Sequence, residues 1–526
     1  MPEAQTVALP KRLPLVIRPE NRDESSLKDA KLLNGYLEHD KDKDEYWIFK
    51  RPGLSQFATT IAGNGYGVYT WKGAIYRIQG GTIYKNDVAL AGAVNGSLNT
   101  GGGVYQFESC RGVTPRLLFG NGQAAYYTDG TTVTQMTSTD TITAGAFLIG
   151  NTYTIAVVGT TDFTLIGASA NTPGVVFVAT GPGTGTGTAT CASQFPIPAV
   201  KGWGYLDGSI YAMNADGAIF GTATTLNDPT NWTDPLNKIF KQIEPDGGVV
   251  LAKQLVYIIA IGEWETEVFY DAANASGSPL SPVQGAKINY GSINQDSLQE
   301  MDGNLYWLAV NRSSAIQALM LENLKPTIIS TKPVERLLGE ADASAVYSWH
   351  AKYEGHRFYG VTLKNENLTL VYDYAEQMWA QWTDKDGNYY PIVSSTYSAG
   401  FGRIFQHETN GKLYSIDSEF TSDDGDMITV DIITPNFDGG TRREKTLKVE
   451  RFIGDQTVGS KLQVRVNDSD YAADKWSEFR EVDMSKDDPM LTDCGSFRRR
   501  ATHIRHQCNT RLRLQAVELQ MDLGVL

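Results

Sequence analysis

The stretch Asp342–Thr383 constrains the fold more than any other part of the chain. Four runs of strand chemistry follow one another there: Val346–Tyr353, His356–Leu363, Leu368–Tyr374 and Met378–Thr383. The breaks between them are Glu354-Gly355, Lys364–Asn367 and Ala375–Gln377, rich in the Gly, Asn and charged residues that tight hairpins use. Links so short allow only sequential, antiparallel pairing. In the first run Tyr347, Trp349, Ala351 and Tyr353 share one face and Ser348, His350 and Lys352 the other, the period-two alternation of a half-buried strand. A four-stranded meander cannot bury its apolar side alone, and radial stacking of such sheets is the β-propeller solution.

Shorter copies of the pattern recur. Gly, a variable residue, an aliphatic residue and an aromatic follow one another at Gly73–Tyr76, Gly81–Tyr84, Gly208–Tyr211, Gly217–Phe220, Gly303–Tyr306, Gly402–Phe405 and Gly411–Tyr414. Glycine suits the positive φ that ends a hairpin turn, and the aliphatic-x-aromatic piece then enters a buried strand. Irregular spacing excludes a regular 40-residue WD-type repeat and suggests blades elaborated by loops. A chain of 526 residues also exceeds one core. The expectation is an all-β chain: a β-propeller with an inserted small β domain and a C-terminal β-sandwich-like domain.

The division follows composition. Residues 1–60 read as an N-terminal segment packing on the platform or propeller, with a short helix over Ser25–Leu33 capped by Ser25 or Ser26, a solvated hairpin tip at His39–Glu45 and a strand at Trp47-Ile48-Phe49. Residues 61–137 form the first part of the propeller. Residues 138–200 contain no Lys or Arg and only Asp140 and Asp162 as acids; Phe147–Val158, Phe163–Gly167 and Val175–Thr180 alternate like strands, which predicts an inserted Ig-like β domain. Residues 201–426 complete the propeller, with Asn227–Pro235 as a turn-rich link whose aromatic plugs between sheets. Residues 427–526 hold the longer alternating strands Met427–Ile433, Lys445–Ile453, Lys461–Val466 and Arg511–Met521, expected as a β-sandwich or platform domain.

Charge limits function. The formal net charge is −14, and Met427–Leu526 balances 16 Lys and Arg against 16 Asp and Glu, so all of the net negative charge lies before Met427. A protein that grips nucleic acid by neutralising phosphates needs a basic stripe instead. No run of 18 apolar residues exists and Met1–Leu15 lacks a signal-peptide core, so the protein is expected to start cytosolic. Cys110, Cys191, Cys494 and Cys508 form no CxxC pair and read as free thiols.

Candidate chemistry is sparse, and the expectation is no enzyme: no catalytic, cofactor or metal residue is assigned. His503 and His506, three apart on a strand, face opposite sides and make a poor zinc pair. Gly181–Thr190 lacks the Gly-Lys-Ser/Thr ending of a phosphate loop. Asp423-Asp424-Gly425-Asp426 has calcium-binding residue types but also those of an acidic turn, and Glu263, Glu265 and Glu267 read as solvated carboxylates on a strand. The densest basic cluster is Arg498-Arg499-Arg500 with Arg505, Arg511 and Arg513. Arg498, Arg499, Arg500 and Arg505 are the subunit-interface candidates, with Arg500 or a neighbour meeting acids of the next subunit.

Several stretches together resemble the tail nozzle proteins of short-tailed bacteriophages (podoviruses), also called tail tubular or packaged-DNA stabilisation proteins. They are Asn34-Gly35-Tyr36 leading to Lys50-Arg51-Pro52-Gly53-Leu54, Asn227–Trp232, Glu265–Asn289, and His356–Trp382 with Tyr372-Asp373 before Trp379 and Trp382. Thr160–Ala189 is similar to a small β repeat of phage structural proteins. The resemblance implies a homo-hexameric ring below the portal and its adaptor or head-to-tail connector ring, in the virion tail, made in the host cytoplasm. Double-stranded DNA would be retained in the ring and pass through without specific binding. Tail fibres or spikes and the host cell surface are further possible partners. An acidic chain suits a conduit, since walls that repel phosphate leave no deep wells along the path. The alternative from another class is a carbohydrate-binding or depolymerising propeller acting on the host envelope, with Glu265 as its acid; a third is a cellular propeller scaffold.

Overall fold

A computed structural model of the chain describes residues 11–15, 30–40, 45–136, 141–147, 152–191, 195, 199–222, 226–229, 232, 238–417 and 419–524. Two compact units emerge, and the chain passes between them more than once. One comprises Phe57–His350 and Ile392–Tyr414; the other comprises Met1–Gln56, Ala351–Pro391 and Ser415–Leu526. These units cut across the sequence division, because 351–391 and 415–426 fall with the C-terminal strands rather than with 201–350.

The first unit is built from small antiparallel sheets in sequence order. Gly65–Trp71, Ala74–Gln79, Thr82–Lys85 and Val88–Ala89 make the first blade, and Gln106–Cys110, Arg116–Gly120, Ala125–Thr128 and Val133–Met136 the second. Gly204–Leu206, Ser209–Met213, Ala218–Gly221 and Lys238–Phe240 follow, then Gly248–Gln254, Tyr257–Gly262, Thr266–Asp271 and Leu280–Pro282. A fifth sheet pairs Gly291–Ser292 and Gln299–Met301 with Asn304–Asn311, which continues to Ser314–Glu322 and Lys325–Ile328. All seven marker glycines take positive φ, for example Gly73 at 75° and Gly303 at 80°. Lys72 and Asp302 before them are also left-handed, at 50° and 55°, the two-residue hairpin turn that matches strand twist. Tyr76, Tyr211, Tyr306 and Phe405 then enter the core nearly fully buried.

The start of this unit is tied to its end. The Gln406 amide donates to the Ile78 carbonyl at 2.9 Å and accepts from the Gly67 amide at 2.7 Å, and the Thr396 hydroxyl accepts from the Thr70 amide at 3.0 Å. Ile392–Ser398 and Gly402–His407 therefore lie against the first blade.

The insert folds on its own core. Thr141–Thr143, Thr188–Cys191, Thr152–Val157 and Val176–Val178 form one four-stranded sheet in that order. Phe147, Tyr153, Ile155, Phe163, Phe177 and Ala189 pack beneath it. The expected Ig-like domain needs two facing sheets, and among the described residues the insert has one. The expected strand Phe163–Gly167 is instead a 3-10 turn at Phe163–Ile166: Asp162 caps it by accepting from the Thr164 amide, and Gly167 ends it at a φ of 107°.

The second unit is a sandwich. Its larger sheet carries the meander His356–Leu363, Leu368–Asp373 and Met378–Gln381 onward through Lys31–Leu33, Val430–Ile433, Ala501–His506, Lys461–Asn467 and Arg480–Asp483. The facing sheet holds Gly35–Asp40, Glu45–Lys50, Arg513–Leu523, Lys445–Gly454 and Met490–Thr492. Leu32, Leu37, Ile48, Val430, Leu447, Phe452, Val464, Ile504 and Val517 share one core between them. The N-terminal segment is thus woven into the sandwich. Of the expected helix Ser25–Leu33, residues 25–29 lie outside the described residues and Lys31–Leu33 is a strand pairing with Val430–Ile433. The tip of the hairpin at His39–Glu45, residues 41–44, also lies outside them. Among the described residues the one α-helix is Lys332–Gly339, and no helix is long and apolar enough to cross a membrane.

Candidate functional site

Within the propeller unit the first strands of successive blades converge on a channel of about 740 Å³. Its wall takes residues from Val68–Thr70, Val104–Glu108, Leu251–Leu255, Leu298–Glu300, Tyr347–His350 and Val393–Tyr397, with Trp203 and Arg403. First strands reach the axis because each hairpin turns outward from it, so period-two alternation sends every second side chain into a blade core and the strand edge into the channel.

A hydrogen-bonded chain runs along the wall. Lys201 pairs with Asp296 at 2.5 Å, and the Ser348 hydroxyl donates to the Asp296 carbonyl at 2.7 Å. The Gln299 amide donates to the Ser348 carbonyl at 3.0 Å, which leaves its oxygen to accept from His350 Nδ1 at 2.9 Å. His350 Nε2 then accepts from Arg403 Nη1 at 3.2 Å. That assignment makes His350 a neutral imidazole with both nitrogens engaged, and burial, with Arg403 beside it, pushes it down to about 3. Burial lowers Arg403 to about 10. Glu108 and Glu300 face the same channel and burial raises both, with Lys253 opposing the shift. Mixed charge and hydrogen bonds from one blade to the next fit a wall that joins blades; a histidine with both nitrogens bonded is poorly placed as a general base.

The residues singled out from sequence are dispersed. Arg500 is buried, bidentate on Asp468 at 2.7 and 2.8 Å, and donates to the Cys494 carbonyl. Arg505 grips Asp431 at 2.7 and 3.1 Å. These two guanidiniums pair with acids of their own chain. Arg499 lies 3.5 Å from Asp470 and is half-buried, and Arg498 is exposed. His503 bonds Asp431 and accepts from Arg465, whereas His506 bonds Ser460 and Thr510, so the two have separate surroundings.

Glu263 and Glu265 precede the strand, which begins at Thr266; the alternating carboxylate face expected there does not form. Asp246 holds the Trp264 and Glu265 amides in a turn, Glu265 pairs with Lys287 at 2.6 Å, and Glu267 is buried, accepting from the Ile243 amide. Asp424 and Gly425 form the left-handed tip of a hairpin between Ser422–Asp423 and Asp426–Met427, and Asp423 receives the Arg51 guanidinium. Among the described residues no group of three His, Cys, Asp or Glu is arranged to hold a metal ion. Cys110, Cys494 and Cys508 are free thiols. Trp232 plugs between sheets as expected, its indole donating to the Pro229 carbonyl and its ring meeting Phe195 edge-on.

Sequence reasoning missed the wall network of Gln299, His350 and Arg403. Its members are about fifty residues apart, and nothing in their local pattern announces a pairing.

Sheets of this kind, arranged around a shared polar channel, define a β-propeller protein. The family described as bacteriophage P22 Gp10, beta-propeller, matches residues 43–420, well over half of the chain. The chain belongs to that family and is a phage structural protein. No curated protein matches it. Among solved structures it is similar to the computationally designed Ika8 protein, at 11% identity over 70% of this chain and 100% of that one, with a TM-score of 0.33. It is also similar to the extracellular domain of the one-component system BT4673 from B. thetaiotaomicron, at 8% identity over 87% of this chain and 58% of that one, TM-score 0.37. A third is YCF48 bound to D1 peptide, at 12% identity over 71% and 97%, TM-score 0.33.

Proposed function

We propose that six copies of this chain form the tail nozzle of a short-tailed phage, a ring that retains packaged DNA and conducts it during ejection. Family membership carries the reading. Channel size supports it: about 740 Å³ is the size of a small-molecule cavity, roughly 300–1,000 Å³, and not of a bore for a duplex roughly 20 Å across. DNA therefore needs a passage wider than a propeller axis, and repetition of subunits around a symmetry axis supplies one. The net charge of −14 suits walls that let phosphate pass. The chain's partners in this reading are its own copies and the adaptor ring above them, with Arg498, Arg499, Arg500 and Arg505 as candidates from the basic run for contacts between copies.

Native mass spectrometry of the chain mixed with its adaptor ring tests the proposal. Six copies bound per ring are expected. A chain that stays monomeric on an intact adaptor overturns it.

A further inference from the structure

The sandwich unit carries a second cavity, about 220 Å³, with an unusual cation in its wall. Lys50 ends the strand Glu45–Lys50 and is only 8% exposed. Its ammonium donates to the Cys508 carbonyl at 2.8 Å and, more weakly, to the Thr510 carbonyl at 3.4 Å. No carboxylate lies within ion-pair distance of it among the described residues. The neighbouring cation Arg51 is different: its guanidinium is neutralised bidentately by Asp423. A buried ammonium bonded only to carbonyls keeps one donor free, with its one favourable carboxylate, Asp423, out of contact and already bound by Arg51, an expensive arrangement unless an anion completes it.

The same cavity is flanked by two more cations. The Arg513 guanidinium carbon sits 4.2 and 5.5 Å from the ring centroids of Trp47 and Phe49, and its ion-pair partner, Asp455, is 3.9 Å away. Arg511 is tied to Glu419 on the surface. Glu354 and Asp455 also line the cavity, both exposed. Tyr36, Phe49 and Tyr353 supply apolar wall. At ~30 Å³ per water the space admits a small oxyanion together with several waters.

We infer that this cavity is an oxyanion site, in which a phosphate or carboxylate group bridges the Lys50 ammonium and the Arg513 guanidinium. Burial, with Arg51 adding to it, already pushes Lys50 down to about 8, the signature of a cation short of negative charge, and Lys50 in turn helps push His506 down to about 3. Two sources share the required chemistry: a free ion, or a carboxylate on the acidic first 426 residues of a second copy. The inference concerns a single chain and does not rest on the ring reading.

Acetylation of the full chain at pH 8 reads the site directly, with exposed Lys448 as internal reference and mass spectrometry as readout. At fixed ionic strength, replacing chloride by inorganic phosphate is expected to slow Lys50 at least fivefold relative to Lys448, saturably. Arg513→Gln, on an exposed position, is expected to weaken that protection at least fivefold while Lys50 still reports. In the assembly with the adaptor, protection of Lys50 without phosphate assigns the oxyanion to a second copy, and protection that still requires phosphate assigns it to a free ion. Equal Lys50 rates in phosphate and chloride in both the free chain and the assembly, or a Lys50 that does not react in chloride in the free chain, overturn the site.

Discussion

The inserted sheet and the sandwich bury comparable strands by opposite means. Between Ser138 and Val200 there is no Lys or Arg, and the sheet over Thr141–Cys191 sits on a core of aromatic and aliphatic side chains. Its outer face is uncharged as well: Thr141 and Thr143 lie opposite Thr190 and Thr188, and Thr154 opposite Val176. The sandwich buries ionised groups instead. Arg51 is 1% exposed and joins Asp423 to Asn34, and Asn34 in turn bonds Thr383. His356 meets Asp373 at 2.6 Å, and Asp431 holds both His503 and Arg505.

Separation along the chain explains the contrast. All strands of the insert lie within about fifty residues, so the loops closed between paired strands are short and side-chain alternation sets their register. Arg51 and Asp423 are 372 residues apart, and Asn34 and Thr383 are 349. Strands that distant have no turn to align them, and buried polar groups that are satisfied in one register only can specify it, at some expense in stability.

The largest test of this contrast is Arg51→Ala. It leaves the Asp423 carboxylate without its bidentate partner, while the Asn34 side-chain oxygen keeps only the Thr383 amide, and denaturant unfolding of the sandwich is expected to lose about 3–5 kcal/mol; a loss below about 1 kcal/mol would erase the distinction. Next comes Phe177→Ala in the insert, expected to cost about 3 kcal/mol. Because the insert has its own core, hydrogen exchange should accelerate there and stay unchanged in the blades; acceleration throughout would show that the insert is not independent.

A third test is pH. His356 is raised by its bond to Asp373 against the opposing effect of burial. A raised folded value means that its contribution is complete below the unfolded value near 6.5 and is lost as pH climbs through the folded one. Asp373→Asn should remove about 1.5–3 kcal/mol at low pH and less above that window. His506, depressed to about 3 by burial, has the opposite sign: stability falls as pH drops below 6.5, and His506→Gln should flatten that limb. The smallest effect is expected on the insert's outer face, where Val176→Thr should change stability by no more than about 0.5 kcal/mol.

Much of the blade structure was legible because it is local. The four strands expected within Asp342–Thr383 occur within a residue or two of their expected ends, and each marker glycine occupies its turn. What escaped was long-range. Nothing around Lys31–Leu33 says that it will pair with Val430–Ile433, nor does Arg51-Pro52-Gly53 disclose a partner at Asp423. The channel network and the Lys50 cavity share that character, being made of residues whose neighbours in space are remote in sequence. The 3-10 turn at Phe163–Ile166 was missed for a different reason: Phe163 and Leu165, two apart around Thr164, mimic strand alternation over so short a run, whereas the turn buries Ile166 and exposes Leu165.

In the proposed nozzle, DNA travels through a passage made by several copies of this chain and not through the channel of any one. Electron cryo-microscopy of a DNA-filled particle containing the chain tests it most directly. The account predicts six copies around an open axis at least roughly 20 Å wide, with duplex density on that axis and the 740 Å³ channel of each propeller free of DNA. Nucleic acid density threading a propeller channel, or a single copy on the DNA path, would contradict it.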